Sequence, residues 1–172
     1  MSIAWTLKEP DDRPAPTNRG GAPVGHVAEL PPLERAALLY FRQWRNGPNG
    51  REAVAHAFSQ VFTPTRAVQE VNTLAALMAY LSVGQRRPIM GHCTGCACFG
   101  GDESAFVNLV AAAAADDKED AMAFALTLMR PDAAWQAVMA AKDFGLALLG
   151  LNRSFVATEM ALPAWPAPKT RH

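Results

Sequence analysis

From Leu33 onward the apolar residues Leu33, Ala36, Ala37, Tyr40, Phe41 and Trp44 recur at i, i+3, i+4, i+7, i+8 and i+11. Only an α-helix gathers residues so spaced onto one side, and such a stripe must be buried against a neighbour. Pro31 and Pro32 suit the first turn of this helix, and Asn46-Gly47-Pro48 stops it. The same logic recurs down the chain. From about Gly50, Val54, Ala57, Phe58 and Val61 share a side up to Thr63-Pro64, where Thr63 caps a third helix. Val68, Val71, Ala75, Met78 and Leu81 carry that helix to about Leu81 or Val83.

A stretch of small residues and cysteines, GHCTGCACFGGDES, interrupts the pattern at residues 91 to 104. Asp102 is the expected N-cap of a fourth helix, with Glu103 near its positive end and Ala105, Phe106, Leu109, Val110 and Ala113 inward. Asp116-Asp117 breaks it. A fifth helix runs from Lys118 to Met129 with Ala121, Phe124, Ala125 and Leu128 inward, and Arg130-Pro131-Asp132 resets the chain. A sixth, to about Leu149, offers Trp135, Val138, Met139, Ala141, Leu146 and Leu149. The run from Val110 to Ala115 favours helix and lets helices approach closely. Strand signals are nearly absent. The fold class is therefore all-α: a bundle-like single domain of about six helices, in two three-helix halves joined by a Cys-rich loop.

The expected organisation is an extended N-terminal arm at 1–30, a helical domain at 31–151 and a Pro-rich tail at 152–172. Each irregular end carries a tryptophan, Trp5 and Trp165, read as an anchor onto the chain's own domain or as a peptide offered to a partner. At 172 residues with 50% hydrophobic content the chain can bury a core unaided. No apolar run is long enough for a membrane span, no signal-peptide pattern opens the sequence, and three clustered cysteines do not suit a secreted disulfide framework. The expectation is a cytoplasmic protein with no membrane partner.

Sixteen basic residues balance sixteen acidic ones, which removes any global attraction for nucleic acid. The charges are unevenly placed, however. Residues 31 to 91 hold seven arginines against three glutamates, and residues 99 to 149 hold eight acids against three bases. That asymmetry can draw the halves together, pair protomers, or leave a basic face for phosphate, for which Arg35, Arg42 and Arg45 on the first helix are the candidates.

The chemistry-bearing feature is the cysteine stretch. Cys93 and Cys96 have the spacing of a metal knuckle or a redox dithiol, and Cys98 adds a third sulfur. Converging thiolates repel one another, and a cation relieves that. The expected metal site comprises Cys93, Cys96 and Cys98 with His92 as the nearest further donor, and His26, His56 and Asp102 as alternative fourth ligands. Zinc is the favoured metal and an iron–sulfur cluster the alternative. Packing alone, or a reversible disulfide between Cys93 and Cys96, competes with metal. No P-loop, nucleophile elbow, dinucleotide fingerprint or HExxH occurs. The leading expectation is a small regulatory protein that acts by binding, through a protein partner or self-association, with its metal loop setting how the halves meet. The alternatives are an iron–sulfur or thiol redox sensor, a thiol-dependent enzyme, a DNA-binding regulator using the arginine face, and a metal-free interaction protein.

Overall fold

A computed structural model describes the chain over residues 19–161, with side chains described as far as residue 153. Six helices dominate it: α1 (Pro32–Arg45), α2 (Gly47–Ser59), α3 (Pro64–Gly84), α4 (Gly101–Ala114), α5 (Lys118–Leu128) and α6 (Pro131–Ala161). Proline occupies the first turn of α1, α2 and α3, where its missing N–H costs no hydrogen bond. Only Asn46 lies between α1 and α2, and Gly47 at φ 78 makes the turn, so α2 starts three residues before the expected Gly50. Asp117 caps α5, its carboxylate accepting from the Asp120 amide at 3.1 Å.

The all-α reading holds, with a small antiparallel pair that periodicity did not announce. Strand β1 (Pro23–His26) pairs with β2 (Cys98–Gly100), with Gly25 opposite Phe99 and His26 opposite Cys98. Residues 19–29 of the expected extended arm therefore hold two short 3-10 turns and this strand. At the other end α6 continues helical to Ala161, past the expected tail boundary at 152. Trp5 and Trp165 lie outside the described residues.

The two sets of three helices do not stay apart. α3 and α6 pack along each other, α1 packs on α4, and α6 also contacts α1, α4 and α5. Around these contacts Phe41, Phe58, Phe106, Phe144, Leu38 and Leu77 are fully buried, and the rings of Phe41 and Phe106 meet at 4.4 Å. A Cβ on Gly145 of α6 would stand 2.7 Å from the Ala114 Cβ of α4, so a glycine is what lets these helices approach. Backbone bonds from Arg130 N to Gly84 O (2.8 Å) and from Arg86 N to Leu128 O (3.3 Å) stitch the end of α3 to the α5–α6 junction.

Two helices bury a side that only partly matches the one expected: Val138 and Ala141 of α6 and Leu81 of α3 are buried as expected, and Val71 and Met78 pack half-buried on the core. On α6 Trp135, Met139 and Leu146 are exposed, and Ala134, Ala137, Val138, Ala141, Phe144 and Leu148 face inward. On α3 Val68 is 62% exposed, and Ala67, Leu74, Leu77 and Leu81 form the buried row. On α6 the alanines at the contact let neighbours approach and leave Trp135, Met139 and Leu146 outside, whereas on α3 the inner row is chiefly leucine.

Candidate functional site

Cys93 to Cys98 lie on the segment that runs from the end of α3 to β2. Cys93-Thr94-Gly95-Cys96 is a hydrogen-bonded turn, the Cys93 carbonyl accepting from the Cys96 amide at 3.1 Å. Cys93 is exposed, Cys96 and Cys98 are half-buried, and all three are free thiols. A hydrogen bond from the Cys96 thiol, with further support from the Gly95 and Cys96 amides and the positive charge of Arg42, holds the Cys93 pKa below its ordinary value. The same thiol–thiol bond, together with burial, pushes Cys96 up. The turn thus carries two unequal thiols, with the more acidic one outward.

The turn is anchored by an ion pair out of solvent. Arg42 of α1 donates from Nε to Glu103 Oε1 at 2.7 Å and from Nη2 to Oε2 at 2.9 Å. Its remaining reach goes to the thiol segment, Nη1 to the Cys96 carbonyl and Nη2 to the Cys98 carbonyl, both at 2.7 Å. Glu103 of α4 is completely buried and also accepts from the amides of His92 and Gly100, each at 3.0 Å. His92 Nδ1 lies 2.7 Å from Glu103 Oε2 and donates to it, because an ionised carboxylate has no proton to give. Burial would raise the Glu103 pKa, but the bonds from Arg42, His92 and the two amides outweigh it and hold the carboxyl at about 2.

Asp102 performs a parallel task one residue earlier. Gly100 is the N-cap of α4, and Asp102 lies inside the first turn, buried, its carboxylate held by Arg87 through two bonds of 2.6 Å and by the Met90 amide at 2.8 Å. The N-cap role expected of Asp102 is therefore replaced by pairing of its buried carboxylate with the half-exposed Arg87. Arg42–Glu103 and Arg87–Asp102 both join the basic stretch of sequence to the acidic one, so part of the charge asymmetry is spent inside the fold.

Cys93 and Cys96 share one turn and His26 faces Cys98 across the strand pair, but the expected metal donors form no cage. Among the described residues no group of three or more His, Cys, Asp or Glu side chains is placed to hold a metal ion. Asp102 is committed to Arg87, His92 gives Nδ1 to Glu103, and His56 lies exposed on α2 beside Gln60.

The expected basic face is not presented as a unit either. Arg42 is 3% exposed and engaged internally, Arg35 donates to the Ala28 and Leu30 carbonyls at 2.8 and 2.9 Å, and Arg45 lies over the Phe41 ring. The sequence held a signal for Arg42: it follows Phe41 directly and Leu38 by four positions, inside the apolar arc of α1. For Glu103 the signal is its place three residues after Gly100, from which a glutamate reaches back to the helix start.

Comparison with protein-family models, curated proteins and solved structures gave no match. Among the described residues no helix is long and apolar enough to cross a membrane.

Proposed function

We propose that this chain is a thiol redox sensor in which Cys93 and Cys96 interconvert between dithiol and disulfide. The observation that carries the reading is the hydrogen-bonded turn placing the two cysteines at its ends. Such a turn keeps its terminal Cα atoms within about 7 Å, and a disulfide spans about 4.4–6.8 Å, so oxidation asks little of the backbone. The exchange partner is a protein disulfide in a reducing, cytoplasmic setting. Cys93, exposed and the more acidic thiol, attacks one sulfur of that disulfide; the S–S bond breaks and the departing thiolate takes up a proton. Cys96 then attacks the Cys93 sulfur of the mixed disulfide. This forms the Cys93–Cys96 bond and releases the partner's second sulfur as a thiol, so the partner is reduced by two electrons and this chain is oxidised by two. Regulation follows from the anchor: the Cys96 carbonyl is held by Arg42, so a change in the turn is transmitted to the pair linking α1 and α4.

The test is equilibration of the reduced protein in glutathione buffers of stepped ratio, followed by alkylation and peptide mapping. Two thiols disappear together, a Cys93–Cys96 disulfide is recovered, and Cys98 remains alkylated. Three thiols persisting under oxidising glutathione, or a disulfide that includes Cys98, overturns the reading. Stoichiometric zinc or iron in protein purified without oxygen overturns it in favour of a metal held by Cys93, Cys96, Cys98 and His92.

A further inference from the structure

Seven arginines lie between residues 31 and 91, and five of them are engaged within the fold. Arg35 and Arg86 donate to backbone carbonyls, Arg42 and Arg87 pair with Glu103 and Asp102, and Arg66 pairs with Glu70 at 3.2 Å. Arg45 and Arg51 form no ion pair among the described residues. Both line the same cleft, and no Asp or Glu lines it with them. α1 and α3 each pack on α2 and α6, and the cleft, about 570 Å³, opens between them. That size lies within the range of roughly 300–1,000 Å³ usual for small-molecule sites.

Trp44, Met78 and Ile89 contribute half-buried apolar side chains to walls that also carry polar surface from Ser82 and Gln85, and Ala75 and Ala79 leave space along α3. The Arg45 guanidinium lies 5.2 Å from the Phe41 ring centroid, and that of Arg51 lies 5.4 Å from the Trp44 ring. Each guanidinium thus rests near an aromatic ring with no carboxylate paired to it among the described residues, and its N–H groups can be offered to an anion. A Cβ on Gly91 would overlap Arg45 Nη1, so this glycine leaves the guanidinium its place.

We propose that the α1–α3 cleft binds an amphiphilic carboxylate, its apolar body against Trp44 and Met78 and its carboxylate held between Arg45 and Arg51. The planar fork of arginine matches a carboxylate through paired hydrogen bonds, and the apolar side chains of Trp44, Met78 and Ile89 among the mixed walls suit a hydrocarbon or aromatic body. This site is independent of the thiol reading.

The experiment measures decanoate and decanol binding by displacement of anilinonaphthalene sulfonate fluorescence from the full chain. Decanoate binds saturably, and decanol binds about tenfold more weakly or worse, for want of charge. Arg45→Gln and Arg51→Gln each weaken decanoate binding roughly five- to tenfold with little effect on decanol. Ala79→Trp fills the cleft and abolishes binding of both, and Cys93→Ser/Cys96→Ser leaves binding intact. Equal affinity for decanoate and decanol, indifference to both arginine substitutions, or no saturable binding overturns the proposal.

Discussion

Arg42 and Glu103, separated by 61 positions in sequence, meet in a two-pronged ion pair from which solvent is excluded. Breaking a buried pair by removing one partner costs about 3–5 kcal/mol, because it strands the other charge. Glu103→Gln is expected to lower stability by about 3 kcal/mol, read as the shift in urea midpoint at constant slope. Replacing both members with apolar residues often restores stability, but here it is expected not to. The amides of His92 and Gly100 and the carbonyls of Cys96 and Cys98 would also lose their partners. Arg42→Met/Glu103→Leu therefore stays well below the wild-type midpoint; full recovery would show that the pair anchors nothing else.

The same carboxylate sets an acid limit. Its folded pKa of about 2 lies below the ordinary 4.5, so its contribution to stability is complete above about pH 4.5 and drains away as pH falls toward 2. Asp102, lowered by Arg87 and the Met90 amide against the opposing effect of burial, acts in the same direction. A shift of this size is worth on the order of 3 kcal/mol. Denaturation midpoints taken between pH 6 and pH 2 should fall steeply for the wild type and less steeply for Glu103→Gln. Parallel curves would mean that Glu103 is not the group responsible.

Cys93 and Cys96 should separate in reactivity. Iodoacetamide at neutral pH alkylates Cys93 first, since its thiol is the more acidic and the more exposed. Cys96→Ala removes the thiol hydrogen bond that contributes most to this acidity, so the pH profile of Cys93 alkylation moves upward. Mass spectrometry of each peptide over time gives both rates. Equal rates, or a profile unmoved by Cys96→Ala, would leave the turn without directionality.

Periodicity was enough to locate the six helices because each has apolar residues at helical spacing and a Pro, Asp or Gly at its end. What it missed is long-range pairing. The strand contact of Pro23–His26 with Cys98–Gly100 is too short to carry an alternating pattern, and its register depends on residues more than seventy positions away. The thiol site was half legible: C-x2-C spacing marks the turn, but the anchor beneath it combines an arginine read as surface and a glutamate read as a helix-end charge. Burial reverses both readings: the place of Arg42 inside the apolar arc of α1 hints at it, but no local rule names the partner 61 positions away with which it is buried.

The side of α6 that faces inward gives a prediction that opposes residue size to position. Trp135 is the bulkiest apolar residue on that helix and is 50% exposed, whereas Phe144, about two and a half turns further on, is fully buried. The inner row around Phe144 is largely alanine, which brings α6 close to its neighbours and leaves little freedom to refill a void. Phe144→Ala should therefore cost about 3–5 kcal/mol, the loss of transfer energy adding to an unrelaxed cavity. Trp135→Ala, removing a ring already half in water, should cost about 1 kcal/mol or less. Thermal and urea unfolding of the two variants side by side decides the matter. A larger loss from Trp135→Ala would mean that α6 packs in the orientation its large residues suggest.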